Sequence, residues 1–271
     1  MSAGTLRARP AGLPPVLRRL RHLALRSAAF LVLLAGWEIA NRFDLIRPFL
    51  LPPLGAVLGR LGNDIVSGAF ELNAALTLYR ALAGFAIACA IGIPLGIMVS
   101  RRRLVGWFVE PIVSVGFPMP TIAFLPIFML WFGVFDLSKI VMTAFSAVFT
   151  VIAAADAGTR GVERHLTWSA QSLGASRTDV FFEVMLPAAM PQILTGLQVA
   201  LPLALIVEVA AEMLMGGAGL GGMMVNAENY ADAVGVYAGI VETAAVGGIA
   251  VALMARLRRR LLRWHAESAA G

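Results

Sequence analysis

Six stretches of this chain stay apolar for about the length that a lipid bilayer demands, and this pattern restricts the fold more than any other feature. A hydrocarbon core about 30 Å thick takes roughly 20 residues of α-helix. Runs of that kind lie at 23–40, 82–99, 111–134, 140–155, 193–215 and 234–254. Backbone polar groups find no water in lipid, so the runs are predicted to be helices, giving an all-α, polytopic membrane protein with six crossings. Composition closes off the water-soluble alternative. Of the 271 residues 59% are hydrophobic, and 22 basic with 16 acidic side chains cannot cover a water-facing exterior. Trp37 and Glu38 interrupt the end of the first run and no A-x-A site follows, so it is read as a retained helix and not a cleaved signal.

The net charge of +6 would suggest nucleic acid in a soluble protein, but here the cations collect at the ends of the apolar runs, where they set topology and meet lipid headgroups. Seventeen fall on one side: Arg7, Arg9, Arg18, Arg19, Arg21 and Arg26, then Arg101 to Arg103, then Arg160, Arg164 and Arg177, then Arg256, Arg258, Arg259, Arg260 and Arg263. Five fall on the other: Arg42, Arg47, Arg60, Arg80 and Lys139. The positive-inside rule then places both termini in the cytoplasm. Basic tails at 1–22 and 256–271 flank one transmembrane domain at 23–255. A single cysteine, Cys89, excludes an intrachain disulfide and a cysteine metal site.

Catalytic signatures are missing. There is no G-x-x-x-x-G-K-[ST], no H-E-x-x-H and no G-x-S-x-G, and His22, His165 and His265 lie in terminal or connecting segments. The chain is therefore expected not to be an enzyme and to hold no cofactor or metal. Gly217 to Gly222 fits G-x-G-x-x-G but follows an apolar run, so it is read as a flexible extracytoplasmic turn. Gly92 with Gly96, and Gly235 with Gly239, repeat at spacing four, which allows close helix approach, a dimer contact among the uses. Prolines interrupt the runs at Pro94, Pro118, Pro120, Pro126 and Pro202, three of them in the third run, marking it as the broken or channel-lining helix. Candidate pathway residues are Pro118, Met119, Pro120 and Pro126 with the intramembrane acids Glu208 and Glu212. Four residues apart, those acids share a helix face and suit a cation, a proton relay or a solute path. The alternative places Glu212 in water at the outer end and pairs Glu208 with a donor from another helix. Glu38 and Glu242 are read as interfacial.

The inner connection at 156–190 carries the most specific signal. Trp168 to Ser172 reads as a short helix stopped by Gly174, a second short helix begins near Ser176, and Pro187 breaks the chain before the fifth crossing. The segment resembles the EAA loop of binding-protein-dependent ABC importer permeases, whose pattern is E-A-A, three residues, G, nine residues, I-x-L-P. Ala170 stands on the last alanine, Gly174 on the glycine, Val184 on the isoleucine, and Leu186 and Pro187 on the final pair. Trp168 replaces the glutamate and Ser169 an alanine. Further segments resemble the nitrate, sulfonate and taurine branch: Trp37 with Glu38, Phe49 to Pro52, Arg80 with Gly84 and Phe85, Glu110 with Pro111, Pro118 to Pro120 with Ala123 and Pro126, Trp131 to Gly133, Ser138 to Ile140, Glu212, Gly219 to Gly221, and Leu262 to Trp264.

The resemblance implies the type I importer permease fold and a multi-pass protein of the bacterial inner membrane. It implies a homodimer that forms the pathway, with two cytoplasmic ATPase subunits holding ATP and Mg and an extracytoplasmic solute-binding protein. A small anion such as a sulfonate, taurine or nitrate is the implied solute, a pyrimidine vitamin precursor or aromatic acid the alternative. From the residues alone, an ion-gradient transporter or channel using Glu208 and Glu212 stays open, as does a membrane scaffold that docks a cytoplasmic enzyme.

Overall fold

A computed structural model describes the backbone of residues 15–263 and the side chains of residues 28–263. The cations from Arg7 to Arg26, His22, Trp264, His265 and the far ends of both basic tails lie outside the described residues or side chains. The described chain is all helical and divides between residues 58 and 59 into two compact units.

In the first unit, α1 (Pro15–Arg42) leads into an irregular segment that folds back on it. Trp37 and Asn41 sit one turn apart, on one face. Trp37 Nε1 donates to the Pro52 carbonyl at 2.8 Å, and Asn41 Nδ2 donates to the carbonyls of Leu51 at 2.9 Å and Pro52 at 3.3 Å.

After α2 (Leu54–Val66), the second unit is built on three long helices, α3 (Ala69–Arg101), α6 (Asp136–Arg160) and α9 (Leu186–Met215). Lipid offers no hydrophobic drive for one apolar helix to bind another, so close backbone approach must do that work. Ala81, Gly84, Ala88, Gly92 and Gly96 recur along one face of α3, against Thr143, Ala147, Val151 and Ala155 of α6. A Cβ on Gly92 would stand 2.8 Å from Val151 Cγ1, and one on Gly96 would stand 2.5 Å from the Ile152 carbonyl oxygen. The spacing-four pair is thus used inside the chain. Gly239 packs likewise against Met224 of α10 (Leu220–Asn229), beneath α11 (Ala233–Leu261). Gly92→Leu is therefore expected to destabilise the chain by about 3 kcal/mol through overpacking, read as a lost monodisperse peak and a lower unfolding midpoint in detergent. Gly62→Leu on α2, where Gly62 is exposed and a Cβ meets nothing within 4 Å, should leave both unchanged.

The third run is not one helix. α4 (Arg103–Gly116) ends before Pro118 and Pro120, and a 3₁₀ turn (Thr121–Phe124) with α5 (Leu125–Phe132) resumes at 97° to it. Phe117 still has helical dihedrals and bonds to the Val113 carbonyl, but Pro118 and Pro120 each lack an N–H for the ladder, and the helix ends there. Pro126 instead lies in the first turn of α5, where no N–H is needed. Among the described residues four helices are long and apolar enough to cross a membrane, five if this bent pair counts as one span. The expected six is corrected accordingly: the third run is a bent pair, and the first falls in α1, whose leading side chains are outside those described.

Candidate functional site

Two regions at opposite ends of α6 gather the residues that break the apolar pattern. At the end where α6 begins, charges from three helices converge on the turn after α9. Glu212 is fully buried, which overturns its placement in water. Arg80 Nη1 donates to Glu212 Oε1 at 2.8 Å and to the Ala218 carbonyl at 2.7 Å, while Arg80 Nη2 pairs with Asp136 at 2.7 Å. Thr77 donates its hydroxyl to Glu212 and accepts the Leu220 N–H at 2.9 Å. The Gly221 N–H adds a third donor to Glu212 at 3.0 Å. These donors offset much of the several kcal/mol that it costs to remove a carboxylate from water.

Glu208 is also fully buried, one turn deeper, and accepts the Thr143 hydroxyl at 2.8 Å, the partner from another helix that its spacing permits. Lys139, one turn from Thr143, donates to the Gly216 carbonyl at 2.8 Å, and Asn73 accepts the Gly219 N–H at 2.7 Å. The glycine segment is therefore no flexible turn. Gly216, Gly217 and Gly219 take positive φ, and side chains from α3 and α6 fasten the backbone at Gly216, Ala218, Gly219 and Leu220. Glu242 is corrected as well: at 3% exposure it is buried in α11, while Glu38 is exposed. Nearby, Arg60 joins Asp64 at 3.0 Å to Asp232 at 2.7 Å, and the Asp64 carboxylate holds this guanidinium above its ordinary pKa. Asp232 in turn caps α11 through the Gly235 N–H.

Counting Arg80 and Lys139 as topology charges hid their second role. The signal was present, since an intramembrane acid demands a basic or hydroxyl partner on a neighbouring helix. Of the other pathway candidates, Pro118, Pro120 and Pro126 are exposed and Met119 is half-buried at the α4–α5 break.

At the far end of α6 the chain turns out into a knob. α7 (Arg164–Ser172) closes with Gly174 at φ +92°, the Gly174 N–H on the Gln171 carbonyl and the Ala175 N–H on the Ala170 carbonyl. Those two bonds make a Schellman motif, whose left-handed position favours glycine. α8 (Arg177–Asp179) opens on a capping box in which Ser176 and Asp179 exchange hydrogen bonds at 2.9 and 3.2 Å.

The predicted break at Pro187 does not occur. A π-helical turn (Val180–Met185) runs straight into α9, with helical dihedrals at Val180 and Leu186. Its wider winding accommodates the N–H that Pro187 lacks and keeps the ring off the preceding turn. Val180 and Met185 are buried and anchor the knob, whereas Trp168 and Leu173 are 63% and 89% exposed, Phe182 is exposed, and so are Ser169 and Gly174. Ala170, Val184, Leu186 and Pro187 are half-buried behind them.

Similarity to known proteins agrees with this layout. Residues 92–263 match the family described as binding-protein-dependent transport system inner membrane component. The taurine transport system permease protein TauC of Escherichia coli K12 is 33% identical over 252 residues, covering 91% of this chain and 92% of TauC. The putative aliphatic sulfonates transport permease protein SsuC of Bacillus subtilis 168 is 30% identical, covering 86% and 85%. A structure of the MetNI methionine ABC transporter in an inward-facing conformation aligns at TM-score 0.65 and 15% identity over 73% of this chain and 98% of that one, a likeness of fold. With the helical core, the bent proline pair and the glycine-capped knob in place, the chain belongs to the binding-protein-dependent transport system inner membrane component family, as an ABC importer permease.

Proposed function

We propose that this chain forms the pathway of an ATP-driven importer for taurine or another small aliphatic sulfonate, working as a homodimer with two cytoplasmic ATPases and an extracytoplasmic binding protein. The observation that carries this reading is the relation to TauC along nearly the whole chain. The cation count supports termini and knob in the cytoplasm. The exposed apolar side chains of the knob, Trp168, Leu173 and Phe182, suit a protein partner better than water. Trp168 supplies an apolar contact where a glutamate would supply an ionic one.

The mechanism follows from continuity. From Arg177 to Met215 the backbone is one unbroken helical lever, about 58 Å long at 1.5 Å per residue. ATPase closure moves the knob, the lever transmits that motion, and Glu208 and Glu212 carry it to the turn at Gly216. Alternating access results when the outer ends of α3, α6 and α9 shift against the second copy. Glu212 is neutralised by Arg80 inside the chain, so it puts no bare negative charge in the way of an anion.

The test is made on the cognate binding protein. Taurine or an alkanesulfonate should raise its melting midpoint by several degrees at saturating ligand, as preferential binding to the folded state requires. Stabilisation by a pyrimidine precursor and by no sulfonate would overturn the substrate assignment.

A further inference from the structure

The knob joins the bundle across a crevice of about 540 Å³, lined by Ser100 and Arg101 at the end of α3, Thr159 and Arg160 at the end of α6, and Arg164 and Thr167 of α7. No carboxylate lines it. Arg160 is held in place: its Nε binds Asp156 at 2.7 Å and its Nη2 pairs with Glu110. Arg101 and Arg164 are exposed and make no ion pair or side-chain hydrogen bond with the described residues. The hydroxyls of Ser100, Thr159 and Thr167 already donate to the carbonyls of Ile97, Ala155 and Arg164. Asp156 and Glu110 offset the charge of Arg160, so the uncompensated donors in the crevice are the guanidinium N–H groups of Arg101 on α3 and Arg164 on α7.

We infer that this crevice is an oxyanion site, taking a phosphate or sulfonate group between Arg101 on the bundle and Arg164 on the knob. Planar guanidinium forks match the oxygens of such a group, and charge-assisted hydrogen bonds to it are about twice as strong as neutral ones. An occupant bridges bundle and knob and stiffens the joint through which the lever is driven. The same chemistry is offered by a free anion and by the headgroup of an anionic phospholipid.

The experiment uses the full chain, without ATPase, in phosphatidylcholine nanodiscs. It reads binding, so it stands apart from the transport reading. Calorimetric titration with inorganic phosphate at constant ionic strength should show one site per chain. Arg101→Gln with Arg164→Gln should weaken it about tenfold, the loss of two charge-assisted contacts. Arg177→Gln, on the same loop outside the crevice, should not. Absence of phosphate binding, but one phosphatidylglycerol retained per wild-type chain and lost from the double variant, identifies the source as lipid and supports the site. Arg164→Gln alone, on a helix with no buried residue, guards against misfolding and should weaken binding about threefold. An affinity indifferent to Arg101 and Arg164, an equal loss in Arg177→Gln, or neither ligand binding overturns the site.

Discussion

Arg80→Met is expected to lower the unfolding midpoint of the detergent-purified chain by on the order of 10 °C, corresponding to about 3–5 kcal/mol for a buried ion pair broken on one side. The methionine fills similar space, so the loss is electrostatic. Glu212 would keep its charge at zero exposure with only the Thr77 hydroxyl and the Gly221 N–H to hold it, and the Ala218 carbonyl would lose its donor. Asp136 suffers little, because its side chain is 53% exposed and water replaces the guanidinium. Arg80→Lys retains the charge but not the fork that reaches Glu212, Ala218 and Asp136 together, and should fall between the two. Pairing Arg80→Met with Glu212→Leu removes the stranded charge, so the double variant should melt above the sum of the single losses by more than about 1 kcal/mol. A midpoint for Arg80→Met within about 2 °C of wild type, or strict additivity in the cycle, would show that this cluster does not hold the turn.

How much of this could be read in the sequence depended on whether a residue's signal was local. Apolar length located α3, α6, α9 and α11, because a bilayer thickness is written into consecutive residues. Gly174 was legible for the same reason: a cap is a matter of a few neighbouring residues, and the spacing from Ala170 to Pro187 fixed its place. What needed a partner from elsewhere in the chain was misjudged. The sequence leaves Glu212 open between a pathway residue and an outer end in water, because its position in the run is local and Arg80, 132 residues away, is not. Gly92 and Gly96 signal close helix approach in sequence, but which helix approaches them, α6 of the same chain, is not local information. Pro187 reads as a break in sequence, since propensity weighs a proline by itself and takes no account of a π-turn that absorbs it.

Gly174→Asp should leave the permease inserted and abundant yet cut uptake by more than about tenfold, an effect that needs only about 1.4 kcal/mol of lost docking energy. Two features of the site make the substitution informative. A Cβ at this position meets nothing within 4 Å in the chain, so the first atom of a side chain creates no steric conflict within the chain. The φ of +92° does impose a local penalty, and asparagine shares aspartate's tolerance of left-handed backbone without its charge. Gly174→Asn therefore separates the two causes. If backbone strain in the Schellman motif dominates, asparagine and aspartate lose uptake equally and both variants unfold at a lower midpoint. If Gly174 lies against the ATPase, aspartate loses more than asparagine, the midpoints of the isolated variants agree, and co-purified ATPase falls in step with uptake. Leu173, beside it and 89% exposed, should respond in the same direction when truncated to alanine if the ATPase covers this face of the knob. Full uptake in a folded Gly174→Asp protein would remove the knob from the route by which ATPase motion enters the membrane.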